Sequence, residues 1–356
     1  MKKTYINSVA SISTQKTFDN DDFLDEITPY NDTVIYAVDP VYRDYIPPAA
    51  ARRMAKGIKM GVVATKLAMA EAGVENVDAI ITGTGMGCMI DSEKFVSAII
   101  DNQEQYLTPT SFIQSTHNTV AGQIALGIKC KGYNFTYVHS SLSFQSALLD
   151  AKMQLETAEA NTILVGGVEE LGAHTTKVHR VIDHIKPEAI APSEMLDSKT
   201  KGAVFSEGAY FFVLSNEPSE SCYAELVDVK ILNTLPIDKV AETAVAFLKE
   251  NNLTTSDIDV VVLGNNGDVE YDGAYRLLTE GEFKNTQQVY YKHLVGENHV
   301  VSAFGMWLGS RILKAQTIPE IVKMNDMLDS SSEIQYILCY NQYRGKDHSF
   351  TLLKKC

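Results

Sequence analysis

The sequence predicts an α/β protein in which helices flank sheets of mostly parallel strands. Short, continuously apolar, β-branched runs such as NTILVGG and IDVVVLG read as strands buried on both faces. Between them lie segments with apolar residues at helical spacing, so strand and helix alternate along the chain.

The first strand is expected at 5–12. In the stretch PPAAARRMAKGIKMGVVATKLAMAEAG, Met54, Ile58, Val62, Thr65 and Met69 fall on one stripe of a long helix. A strand at 78–84 leads into the glycine-rich turn GTGMG before Cys88. That turn lacks the spacing and the distal acidic partner of a dinucleotide fingerprint, so Cys88 reads as a packing residue. The strand at 134–139 breaks at His139-Ser140-Ser141 into a helix whose Phe144, Leu148, Ala151 and Leu155 share a face. Strands at 162–168, ending in Gly166-Gly167, and at 208–214 complete the first series. The polar SNEPSES at 215–221 marks a joint. Beyond it, strands are expected at 223–232, 257–263, 287–291, 333–340 and 348–353. A strand–helix series on each side of the joint predicts two similarly built halves, 1–217 and 218–356.

With 356 residues, 45% of them hydrophobic and 21% charged, the chain is long enough for one large core or two medium ones. A formal net charge of −14 argues against a nucleic-acid partner, which needs clustered Lys and Arg. Arg52, Arg53, Lys56 and Lys59 do cluster, and read as a solvated helix face. Five widely spaced cysteines without a CxxC pair imply reduced thiols, a cytoplasmic setting and no zinc site. The apolar run after Lys2 and Lys3 is too short for a signal peptide. No stretch reaches the ~18 apolar residues of a membrane span. The expectation is a soluble protein with neither metal nor cofactor.

Ser141 falls at a strand-to-helix corner. A serine there is either a helix cap or a hydroxyl placed where amide N–H groups favour developing negative charge. His139, His117 in QSTHNTVAGQ and His299 are the imidazoles available as a base, each with the alternative of a hydrogen-bonded structural role.

Across most of its length the chain resembles the β-ketoacyl synthases. Counting back from Gly166-Gly167 puts the family's nucleophilic cysteine at Ser141, with His139 where the family has threonine. GAVFSEGAYFFVLS matches the family's return strand, with Glu207-Gly208-Ala209 in register. VVVLGNNGD keeps Gly267 but carries Asn266 at the first catalytic His position. KHLVGENH keeps Lys292 and Gly296 but carries Glu297 at the second. In NQYRGKDH, the counterpart of the family's C-terminal glycine-rich loop, Gly345 survives and Arg344 falls near the gating aromatic.

The resemblance implies a thiolase-like five-layer α-β-α-β-α fold and a dimer formed through roughly 110–140. It also implies sites matching Ser141, Asn266, Glu297, Lys292 and His139. Decarboxylative condensation needs a thiolate-like nucleophile and two neutral imidazoles. Losing all three implies a non-condensing subunit comparable to chain-length factors, in fatty-acid or polyketide-type (aryl polyene or flexirubin) biosynthesis. Such a subunit would pair with an active ketosynthase and meet an acyl carrier protein and an acyl chain. A second reading is an acyltransferase or esterase using Ser141. A third is a homodimer that only binds an acyl chain or a carrier protein.

Overall fold

The structure, a computed structural model, describes residues 2–19, 22–329 and 332–356. Its strands are β1 (Tyr5–Ile12), β2 (Val34–Ile35), β3 (Ala79–Gly83), β4 (Tyr133–Tyr137), β5 (Thr162–Glu169) and β6 (Phe205–Ser206). They continue with β7 (Gly208–Ser215), β8 (Ala224–Asn233), β9 (Val260–Leu263), β10 (Gln287–Tyr290), β11 (Tyr336–Tyr343) and β12 (Asp347–Lys354). The helices are α1 (Pro48–Ala51), α2 (Lys56–Ala72), α3 (Met89–Asp101), α4 (Pro109–Ser115), α5 (Thr119–Ile128) and α6 (Ser143–Glu156). The rest are α7 (Ala173–Val181), α8 (Val240–Glu250), α9 (Gly273–Leu277), α10 (Lys292–Val295) and α11 (Ser302–Ala315).

Ten strands form one sheet in the order β10-β9-β11-β12-β8-β1-β7-β5-β3-β4, and β2 pairs with β6 separately. The order divides where β8 meets β1, through Tyr5 with Glu225 and Ile6 with Ala224. On each side the three outer strands run parallel and the inner pairings are antiparallel. The sheet is therefore not mostly parallel as expected. Apolar runs report burial on both faces, and helix layers bury antiparallel strands just as well.

Side-chain alternation shows where the layers lie. On β7, Tyr210, Phe212 and Leu214 enter a central core, while Ala209, Phe211 and Val213 enter an outer one built with α2 and α5. On β9, Val260 and Val262 face the central core, whereas Val261 and Leu263 face a second outer core with α8 and α9. The central layer is α6 and α11, which contribute Phe144, Leu148, Ala151, Leu155, Phe304 and Trp307. Helix, sheet, helix, sheet, helix is the thiolase-like arrangement.

Three local expectations are corrected. The long helix is broken, because Ala55 is extended (φ −56°, ψ 159°) and α2 starts only at Lys56. There the buried Glu170 carboxylate accepts the Gly57 N–H at 2.6 Å, holding the new helix start. Met54 thus lies outside the helix whose stripe it seemed to begin. The basic cluster is not one solvated face either. Lys56 turns inward to Glu207, which is fully buried, and Lys59 lies over the Tyr42 ring at 5.4 Å. Finally, Cys222 and Cys356 are joined in a disulfide, so not all five thiols are free. The pairing closes 134 residues of sequence, a separation at which spacing says nothing, and β8 beside β12 brings the two cysteines together. Cys88 is buried in the α2 core, as a packing residue should be.

Candidate functional site

Ser141 occupies a tight turn, 140–142, that feeds directly into α6. Ser140 takes the left-handed conformation there (φ 50°), which is uncommon for a residue with a Cβ. Ser143, not Ser141, fastens the corner: its Oγ accepts the His139 N–H at 2.8 Å and donates to the Ser140 or Thr84 carbonyl. Ser141 is therefore no cap. Its hydroxyl is 3% exposed and donates to Asp347 Oδ2 at 3.0 Å. Asn233 Nδ2 donates to the other oxygen of the same carboxylate at 2.6 Å.

Asp347 is held rigidly. The segment expected as a glycine-rich loop is a hairpin, with β11 and β12 paired up to Tyr343 and Asp347 and only residues 344–346 connecting them. Arg344 and Gly345 both have positive φ, 50° and 64°, as such a tight connection demands. On its other side Asp347 pairs with Asn233 of β8. Sequence reading placed Asp347 within a degenerate loop without assigning it a role. Its contact with Ser141 spans 206 positions, and no local pattern encodes it.

The other substituted positions meet in one buried group. Gly267 (φ 76°) and Gly296 (φ 68°) each provide a turn that a Cβ would strain, and these turns aim Asn266 and Glu297 at each other. Asn266 Nδ2 donates to Glu297 Oε2 at 2.7 Å, and Lys292 Nζ donates to the same oxygen at 2.6 Å. Burial raises the Glu297 carboxyl above the usual range, while Lys292 and Asn266 pull it back down. The Lys292 charge offsets that of Glu297, so this carboxylate does not by itself make the site repel an anion.

None of the three imidazoles serves Ser141. His139 is exposed and turns its Nδ1 to Ser146 Oγ at 3.3 Å. His117 is exposed in the turn between α4 and α5, rather than on a helix. His299 packs against the Tyr343 ring, 3.9 Å from Glu169, and burial lowers its pKa to about 4. Among the described residues, no imidazole hydrogen-bonds to Ser141.

Two spaces flank these groups. An open groove is lined by His139, Ser140, Asn233, Tyr271, Arg344 and Asp347. Deeper in, a narrow cavity with about 30 Å³ of water-accessible space is bordered by Glu169, Glu170, His179, Glu297 and His299. That is room for water and not for an acyl chain. Tyr343 lines both. Glu169 accepts the N–H groups of Gly85 and Met86, and Glu170 those of Gly57 and Ile90, yet burial still pushes the two carboxyls up to about 8 and about 7. No helix among the described residues is long and apolar enough to cross a membrane.

The family model for the β-ketoacyl synthase N-terminal domain matches residues 18–219, more than half of the chain. The chain belongs to the β-ketoacyl synthase family. Solved structures agree on the fold. A β-ketoacyl synthase from Burkholderia phymatum STM815 superimposes with a TM-score of 0.77 at 17% identity, covering 100% of both chains. The ishigamide ketosynthase/chain length factor gives 0.79 at 14%, covering 100% of this chain and 99% of that one. The ketosynthase ApeO in complex with its chain length factor ApeC, from Xenorhabdus doucetiae, gives 0.77 at 15%, covering 100% and 98%. Comparison with curated proteins returned no match.

Proposed function

We propose that this β-ketoacyl synthase family member is a non-condensing subunit that pairs with an active ketosynthase, in the manner of a chain-length factor. The observation that carries this reading is the Ser141–Asp347 contact. Where condensation needs a thiolate and two imidazoles, the chain has a hydroxyl bonded to a carboxylate and an Asn–Glu–Lys cluster bonded to itself.

The partner-facing surface in this reading is the free edge of β4. Tyr133 and Phe135 stack along it at 6.0 Å, each about half exposed, and Leu126 of α5 and Phe112 and Ile113 of α4 are exposed as well. An unpaired edge flanked by apolar side chains suits addition of a homologous strand. An acyl carrier protein and an acyl chain would be met by the assembled pair, in a polyketide- or fatty-acid-type pathway, with an aryl polyene or flexirubin type as the inferred setting. The acyltransferase reading lacks an imidazole at Ser141, whose hydroxyl meets only the Asp347 carboxylate, and is not favoured.

The test is to co-express the chain with a ketosynthase that has an intact Cys-His-His set, encoded beside it. The expected result is co-purification, condensation of acyl and malonyl carrier-protein substrates by the pair, and none by this chain alone. Robust condensation by the isolated chain would overturn the proposal.

A further inference from the structure

Removing a cysteine explains the absence of a thiolate at residue 141, but not why a carboxylate stands beside the hydroxyl. Asp347 is 6% exposed, is paired in the sheet on both sides, and is fixed by Asn233 at one oxygen and Ser141 at the other. It also borders the open groove, together with Ser140 next to residue 141 and the cationic Arg344 and Lys346. Acyl transfer to residue 141 would form a bond from its Oγ or Sγ to the acyl carbon and break the thioester C–S bond. The proton of residue 141 would pass to the departing thiolate, through a tetrahedral oxyanion.

We propose that Asp347 is a negative electrostatic determinant of this site, placed against the nucleophile position so that residue 141 is not acylated whatever its side chain. This deepens the non-condensing reading and rests on it. A fixed carboxylate 3.0 Å from Ser141 Oγ opposes both a thiolate there and the oxyanion next to it. Glu297 does not share this role, because Lys292 offsets its charge.

The experiment restores the thiol. Ser141→Cys is compared with Ser141→Cys/Asp347→Asn, which keeps the shape and hydrogen-bonding capacity of residue 347 but not its charge. Ser141→Cys/Asp347→Ser is a second neutral version in case one fails to fold. Each is alkylated with iodoacetamide across a pH series, and the modification at residue 141 is followed by peptide mass spectrometry, which separates it from Cys130. A carboxylate guard predicts that neutralising residue 347 moves the alkylation midpoint down by about one pH unit. At neutral pH that is roughly a tenfold faster reaction. Coincident midpoints in the single and double variants would overturn the proposal. Because this readout involves no partner protein, it can fail while co-purification succeeds, or succeed while co-purification fails.

Discussion

Lys292 Nζ and Glu297 Oε2 lie 2.6 Å apart, with side chains 0% and 3% exposed. By the resemblance drawn from the sequence, the lysine stands where the family has a lysine and the glutamate where it has an imidazole. The two form a buried ion pair, with Asn266 as a further donor.

This relationship predicts a large penalty for undoing it on one side. Glu297→His or Glu297→Ala leaves the Lys292 ammonium buried without its counter-charge, which costs about 3–5 kcal/mol. Lys292→Met/Glu297→Leu removes both charges and should recover most of that loss. Urea denaturation of the single and double variants checks it, and equal destabilisation in both would contradict the pairing.

Ser141→Ala should lower stability by about 1 kcal/mol, since Asp347 keeps its bond from Asn233. In the co-expressed pair it should leave the condensation rate unchanged. A catalytic serine would give a loss of several orders of magnitude instead. Denaturation and carrier-protein turnover assays, run on the same preparations, separate the two.

Glu169 and Glu170 give stability a definite pH dependence. Their folded pKa values, about 8 and about 7, lie above the ordinary 4.5 because burial outweighs the amide hydrogen bonds. The folded chain holds these protons more tightly than the unfolded one. Their contribution is thus full below the unfolded pKa and is lost as pH rises through 7 to 8. The melting temperature should fall from about pH 4.5 to about pH 8 and then level off, and Glu169→Gln/Glu170→Gln should flatten that slope. An unchanged slope in the double variant would assign the effect to other groups.

The exposed β4 edge makes Phe135→Asp the informative surface change. It should leave the melting temperature within about 0.5 kcal/mol of the parent in stability terms, because the side chain is about half exposed. Association with the partner ketosynthase, read by size-exclusion chromatography with light scattering, should be lost. Retained association would move the interface elsewhere.

Protein purified without reductant should have an intact mass lighter by two hydrogen atoms, with Cys222 and Cys356 in one disulfide-linked peptide pair. Reduction should cost about 2–4 kcal/mol, because the bridge restrains a loop of 134 residues in the unfolded chain.

What the sequence made legible follows from how each feature is encoded. Strands such as Tyr5–Ile12 and the buried face of α6 are written in local apolar spacing, and the structure places them where expected. Strand direction is not, because burial on both faces looks the same either way. Asn266 and Glu297 each sit beside a glycine of positive φ, Gly267 and Gly296, and Lys292 lies four residues before Gly296, so their places along the chain can be read locally. Their mutual bonding was hidden, since it depends on two turns meeting in space. Asp347 was hidden for the same reason, and so was the role of Ser143 in place of Ser141 at the helix corner.

That Asp347 opens a strand hydrogen-bonded on both sides also bears on time. A loop residue beside a reactive centre can swing aside on the nanosecond-to-microsecond scale, giving an intermittent vacancy that a substrate can exploit. The backbone of a residue paired with both β11 and β8 is held by the sheet, and its carboxylate by the hydrogen bonds from Ser141 and Asn233. In the non-condensing reading proposed above, the inertness of residue 141 is then a standing property of the fold and not a closed phase of a cycle.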